Sequence, residues 1–377
     1  MNQIRNRVAL GSLLLIATAV LTLAGTIQGR AAIKTVLFIS EVVPGIPIKP
    51  LDWLTHTPER DRIHFPIQDG LGTADNFRPA TDNPRGAILV FLGVAPAGPA
   101  DSRVIGLGEA LARNNIVTMF YWSPAMSDKT IQPDDINNLI HAFEYLHSQD
   151  YVDPERVGMA GFCVGASFTL IAAAHKSIRD KVAFIHAFGP YFDMTELVKD
   201  IASNSRPYGE TREPWEVDPL TYEVFVKELT KSLAPQEALD LRTHFLSGKA
   251  NLPHLTKLST HGKQIQELLR SVYFEDVETH LSRLPQTLLD QFDHLSPKFY
   301  IRDLRAPIHV MHDYDDPLIP SNHSRTLITA LDPDTTRYTE FLMFRHMDPD
   351  RQLNPLVLSK ELAKLFLHLQ PLFSHVS

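Results

Sequence analysis

The chain has 377 residues, 44% of them hydrophobic and 21% charged, and 36 Lys and Arg against 44 Asp and Glu leave a net charge of −8. These are the proportions of an ordinary globular protein, long enough for one large domain with an insertion or for two smaller ones. The mixed, slightly acidic charge excludes a nucleic-acid surface, which needs a basic stripe, and a single cysteine excludes an internal disulfide or a cysteine-rich zinc site.

The first predicted element is a membrane span. Residues 8–25, VALGSLLLIATAVLTLAG, are apolar and uncharged and follow Arg5 and Arg7. At ~1.5 Å per residue a helix of that length reaches ~27 Å, close to the ~30 Å hydrocarbon core of a bilayer. A secretory h-region is shorter, about 7–15 residues. Residues 1–30 therefore read as an uncleaved anchor, with a cleaved signal, cut near Gly29 and Ala31, as the alternative. The short basic tail ahead of the span suits the cytoplasm, which puts the remainder outside it, membrane-anchored or, after cleavage, secreted. Residues 31–60 hold Pro44, Pro47 and Pro50, which stop a continuous helix. They read as a stiff connector with Trp53 at a membrane interface, or as a tether packed on the domain.

Residues 61–190 then show alternating strands and helices. IHFPIQ, Asp69-Gly70 and TADNFRP predict a hairpin. AILVFLG is apolar without alternation, as a strand buried on both faces must be. A helix follows, capped at Asp101 or Ser102, then the strand IVTMFYW, a helix opening at Asp134 or Asp135, the strand VGMAG, the helix VGASFTLIAAAHK and the strand VAFIHAFG. Strand–helix alternation with short links predicts an α/β fold with a mostly parallel sheet covered on both faces. From about residue 191 to 300 the pattern is mainly helical, which predicts a helical cap inserted into the sheet domain. Alternation returns over 301–377 with APIHVMH, a helix from Ser321, RYTEFLMF and a last helix.

The one cysteine, Cys163, stands in GFCVG between a predicted strand and a predicted helix. That is the setting of a nucleophile elbow, G-x-S-x-G, with sulfur for oxygen. The turn is sharp, residues two to either side come too close for a Cβ, and the helix N-terminus favours negative charge at the nucleophile. A small buried cysteine is the plain alternative. A thiol nucleophile needs a base and the base an orienter. Asp316, with Asp313 and Asp315 as competitors, lies just beyond a buried strand, where open α/β sheets meet ligands. His346 follows the last predicted strand. His309 and His312 read as structural, and His186, at a strand end, as a weaker pocket residue.

On these residues the chain resembles the α/β-hydrolase superfamily, and within it the dienelactone hydrolase family. GFCVG is similar to that family's cysteine-bearing elbow, and DPLIP to the superfamily's D-x-x-V-P segment, whose first Asp is the triad acid; the resemblance thus selects Asp316. It covers about residues 62–189 and 306–377. The resemblance implies the α/β-hydrolase fold, a Cys163–His346–Asp316 triad, and an oxyanion hole from the backbone N–H of Val164 and of Val94 or its neighbour. The membrane span and the helical insertion are foreign to the compact lactone hydrolases, and Leu92-Gly93 replaces the usual His-Gly. The expected activity is hydrolysis of ester, lactone or thioester bonds of a small-molecule acyl substrate, with amides disfavoured because the thiolate is the better leaving group. No cofactor and no metal are expected. The rival expectations are a membrane-tethered binding protein on a catalytically dead hydrolase fold and a redox sensor lacking a resolving cysteine.

Overall fold

A computed structural model describes residues 25–376, apart from 82, 95, 96, 248–256, 272, 347 and 350. The predicted span, residues 8–25, lies outside the described residues but for Gly25. Among the described residues no helix is long and apolar enough to cross a membrane.

The chain runs α1 (Ile27–Val42), β1 (Glu59–Ile67), β2 (Gly70–Arg78), β3 (Arg85–Phe91), α2 (Ser102–Arg113), β4 (Val117–Trp122), α3 (Asp135–His147), β5 (Val152–Phe162), α4 (Val164–Ala173) and β6 (Ile185–Phe188). An insertion follows, with α5 (Met194–Ser203), β7 (Ser205–Tyr208), β8 (Thr211–Pro214), α6 (Pro219–Leu229), α7 (Pro235–Ser247), α8 (Thr260–Leu269), α9 (Phe274–Leu281) and α10 (Gln286–His294). The sheet resumes with β9 (Ile308–Asp313), α11 (Asn322–Ala330), β10 (Thr336–Phe341) and α12 (Pro355–His375).

Eight strands form one sheet in the order β1-β2-β4-β3-β5-β6-β9-β10. The β1–β2 and β2–β4 pairs are antiparallel and the rest are parallel. β3 shows why its sequence does not alternate. Ala87, Leu89 and Phe91 enter one core layer, with α3, α4 and the insertion, while Ile88, Val90 and Leu92 enter the other, with α1, α2 and α12. Both pleat faces are buried, so both must be apolar. The side chain of Asp101 caps α2 by accepting from Arg103 N at 2.9 Å.

Two segments refine the expectations. Residues 31–60 follow the alternative reading, a segment packed on the domain, with α1 over residues 27–42. Its prolines begin only at Pro44, so nothing interrupts the helix before that point. Its Ala31, Thr35, Phe38 and Ile39 share one face and are buried, and Phe38 meets Phe373 of α12 with ring centroids 5.3 Å apart. The insertion is also not wholly helical. β7 and β8 pair as a hairpin whose two-residue turn starts at Gly209 with φ +59°, as a tight turn with glycine first requires.

Candidate active site

The elbow comes first. β5 ends at Phe162, α4 begins at Val164, and Cys163 between them has φ +56° and ψ −134°. An L-residue tolerates that conformation only when its surroundings impose it. Here Cys163 N donates to Phe188 O at 2.8 Å and Cys163 O accepts from Ala166 N at 2.9 Å. The flanking glycines are demanded by contact. A Cβ at Gly161 would lie 2.5 Å from the Cα of Ala166, and one at Gly165 would lie 2.5 Å from Gly93 N.

The three aspartates after β9 separate by geometry. Asp313 is fully buried and its Oδ2 accepts from the backbone N of His346 at 3.1 Å and from Arg351 Nη2 at 3.0 Å. Asp315 lies at the surface and pairs with Arg206 of the hairpin at 3.2 Å. Asp316 is fully buried, and its Oδ2 lies 2.6 Å from His346 Nδ1. Its Oδ1 accepts from the backbone N of Leu318 at 2.7 Å and of Ile319 at 3.1 Å. A carboxylate so bound cannot turn away from the ring.

His346 sits in the turn after β10 with φ +59°, held by Asp313 and by the Arg345–Asp348 bridge. With Nδ1 on Asp316, Nε2 is the ring atom left for Cys163, and it is buried without a hydrogen-bond partner. Burial alone would lower the pKa of His346, but the charges of Asp316 and then Cys163 and the contacts with both raise it well above its ordinary value. Burial works to raise Asp316 too, and is outweighed by the His346 charge and by the hydrogen bonds from His312 and His346, which hold the carboxyl well below the usual range. The two shifts run in opposite directions, as they do when a carboxylate and an imidazole stabilise each other's charged form.

Sequence reasoning missed three supports. Asp313, weighed only as a rival acid, positions the His346 backbone. His312, read as structural, sits 3.5 Å from Asp316 Oδ2 and bonds Ser324 and the carbonyl of Ile319, which anchors the acid loop. Trp215 in the insertion is buried and donates its indole N–H to the Asp316 carbonyl at 2.9 Å. The run of three aspartates in four residues was the available signal for the first. No pattern in the sequence marks the Trp215 bond, which joins segments a hundred residues apart.

Cys163 and His346 are buried under the insertion and open into a cavity of about 1050 Å³. Val164 and Val94, the expected oxyanion donors, both line it. Val164 is the first residue of α4, so its N–H has no partner within the helix. Met194, Leu197, Val224 and Phe225 of the insertion form an apolar roof. His186 also lines the cavity, and burial lowers its pKa to about 4, which makes it neutral. His309 packs away from the site against His368 and His375. Among the described residues no cluster of His, Cys, Asp and Glu has the arrangement of a metal site.

The pattern of the dienelactone hydrolase family matches residues 120–205, which run from β4 through the elbow and α5 to the start of β7. Curated protein sequences give no match. Among solved structures, the acylaminoacyl peptidase of Pyrococcus horikoshii is 13% identical with a TM-score of 0.49, covering 84% of this chain and 41% of that one. The 2,6-dihydroxy-pseudo-oxynicotine hydrolase is 12% identical, with a TM-score of 0.48 over 83% of this chain and 68% of that one. Est1E from Butyrivibrio proteoclasticus is 15% identical, with a TM-score of 0.43 over 82% and 98%. The chain thus spans about two fifths of the peptidase's length. By its sheet order and its strand–elbow–helix junction, across which the family pattern matches, the chain has the fold of an α/β-hydrolase.

Proposed function

We propose that the protein hydrolyses ester, lactone or thioester bonds through Cys163, His346 and Asp316. The observation that carries this reading is the His346 ring, fixed at 2.6 Å on a buried carboxylate with its other nitrogen left for Cys163 at the floor of an apolar cavity. His346 holds the proton of the thiol. The thiolate attacks the carbonyl carbon, and the N–H groups of Val164 and Val94 receive the oxyanion; losing one such donor typically costs about 3 kcal/mol of barrier. The carbon–heteroatom bond breaks, the leaving group takes the proton from His346, and a thioester remains on Cys163. Water then gives a proton to His346 and attacks that thioester, the C–S bond breaks, and the free acid leaves. Asp316 keeps the tautomer and stabilises the imidazolium throughout. Residues 8–25 are proposed to tether the enzyme to a membrane, with the site on the extracytoplasmic side, on the strength of their apolar length and basic flank.

A panel of esters, lactones and thioesters run on wild type and on Cys163→Ala tests the chemistry. Turnover by wild type should fall at least a thousandfold in the variant, towards the residual rate that binding and the oxyanion site sustain. Equal turnover by the two proteins ends the triad reading.

A further inference from the structure

The cavity at Cys163 has a second arm that the proposed chemistry does not use. One part lies under the insertion, in the core layer to which Cys163 belongs. The other crosses the end of the sheet and descends its opposite face, between the strands and α1, α2 and α12. Its walls include Ile88 and Val90 of β3, Ala160 of β5, Phe38 of α1, Leu111 of α2 and Leu369 of α12, all in the second core layer. Such cores pack densely, without voids of this size. Every Asp, Glu, Lys and Arg that lines the cavity is at least partly exposed, so charge stands only towards its mouths. Deep in the arm the polar side chain is His186, which is neutral and lacks a partner at Nε2.

We propose that this arm binds one long unbranched acyl chain, laid along the β3–β5 face with its carbonyl at Cys163. The proposal takes the position of the carbonyl from the function proposed above. From Leu92 to Ile88 the strand advances ~13 Å at ~3.3 Å per residue. That is room for roughly ten methylenes, each advancing ~1.3 Å along C–C bonds of ~1.5 Å. Walls of aliphatic and aromatic groups select hydrocarbon and give a polar substituent nothing to bond. The wall helix α1 also continues directly from the apolar residues 8–25, which fits an acyl chain drawn from a lipid phase.

The test uses the full-length chain in non-ionic detergent, with detergent alone as the blank. The Cys163→Ala protein is titrated with hexanoic and dodecanoic acid. Each methylene moved out of water is worth about fourfold in affinity, so dodecanoic acid should bind at least tenfold tighter even with imperfect burial. Ala160→Phe added to that protein fills the arm and should cost at least tenfold in dodecanoic acid binding. In the active enzyme, kcat/KM for 4-nitrophenyl dodecanoate should exceed that for the butyrate tenfold, and Ala160→Phe should reverse the preference. Val90→Phe, midway down the arm, gives the same readout where Ala160→Phe does not fold, and the comparison of the two acids needs neither variant. Equal binding of the two acids, or a chain-length preference that neither variant changes, overturns the proposal. Selective binding of dodecanoic acid without any turnover supports the arm and removes the triad instead.

Discussion

Asp313 shows how much a single carboxyl can do without touching substrate. It lies fully buried and accepts the His346 backbone N–H at 3.1 Å, so it sets the strained φ at which the imidazole meets Asp316. Burial, helped by the nearby Asp316 charge, lifts its pKa from 3.8 to about 6 against the pull of Arg351 and the His346 N–H. The folded chain therefore holds this proton more tightly than the unfolded chain. Its contribution to stability is fully present below about pH 4, shrinks as pH rises towards 6, and is gone above that, a change of roughly 2–3 kcal/mol. Asp313→Asn keeps an acceptor for His346 N–H and cannot ionise. Measured by urea unfolding at a series of pH values, its stability relative to wild type should rise between pH 4 and 6.5 and then level off. A difference that is flat across that range would show that Asp313 ionises normally in the fold. The elbow, by contrast, was legible from residues alone. Gly161 and Gly165 are fixed by backbone contacts within a few residues of Cys163 or from the adjacent strand β3, and local sterics write themselves into local sequence. Asp316 could be chosen over its neighbours only by resemblance, because the distance that separates them from His346 is a tertiary fact.

At the scale of elements, the strands and helices of the sheet domain were legible because each is buried in a characteristic period. α1 was not, since three prolines downstream dominated the reading of a segment whose first part is proline-free. Its apolar face makes sense only against α12, at the other end of the chain. The hairpin of β7 and β8 was missed because its strands are four residues each and none of their residues is fully buried, too short for a period to show. The docking of α1 can be measured. Phe38 is 7% exposed and packs its ring at a tilt against Phe373, whereas Ile27 on the same helix is 52% exposed. Phe38→Ala should cost about 3 kcal/mol, the low end for a buried phenylalanine because one side already faces the cavity. Ile27→Ala should stay within about 0.5 kcal/mol. Equal losses in denaturant unfolding would mean that α1 hangs free of the sheet domain.

For the molecule as a whole, the parallel strands are joined by helical crossovers, and the insertion between β6 and β9 places a roof over the cavity beside Cys163. The roof is tied down at the acid loop, through Trp215 to the Asp316 carbonyl and Asp218 N to the Pro317 carbonyl. The insertion and the Asp316 loop are thus one mechanical unit, which no local pattern reveals. The proposed tether adds a constraint of a different kind. A surface charge of one sign would hold a protein to a bilayer only weakly and would release it in salt. This chain is net acidic, so an anionic membrane would repel rather than hold it. The proposed attachment therefore rests on residues 8–25, whose transfer from water to hydrocarbon is insensitive to ionic strength and to high pH. Membranes from cells expressing the full chain, washed in 1 M salt and then in alkaline carbonate, should retain it in the pellet. A chain beginning at residue 25 should pass to the supernatant with its ester turnover intact, since α1 and the cavity walls remain. Release of the full chain by carbonate would exclude a spanning anchor and leave the cleaved-signal alternative, which a mature N-terminus near residue 30 would identify.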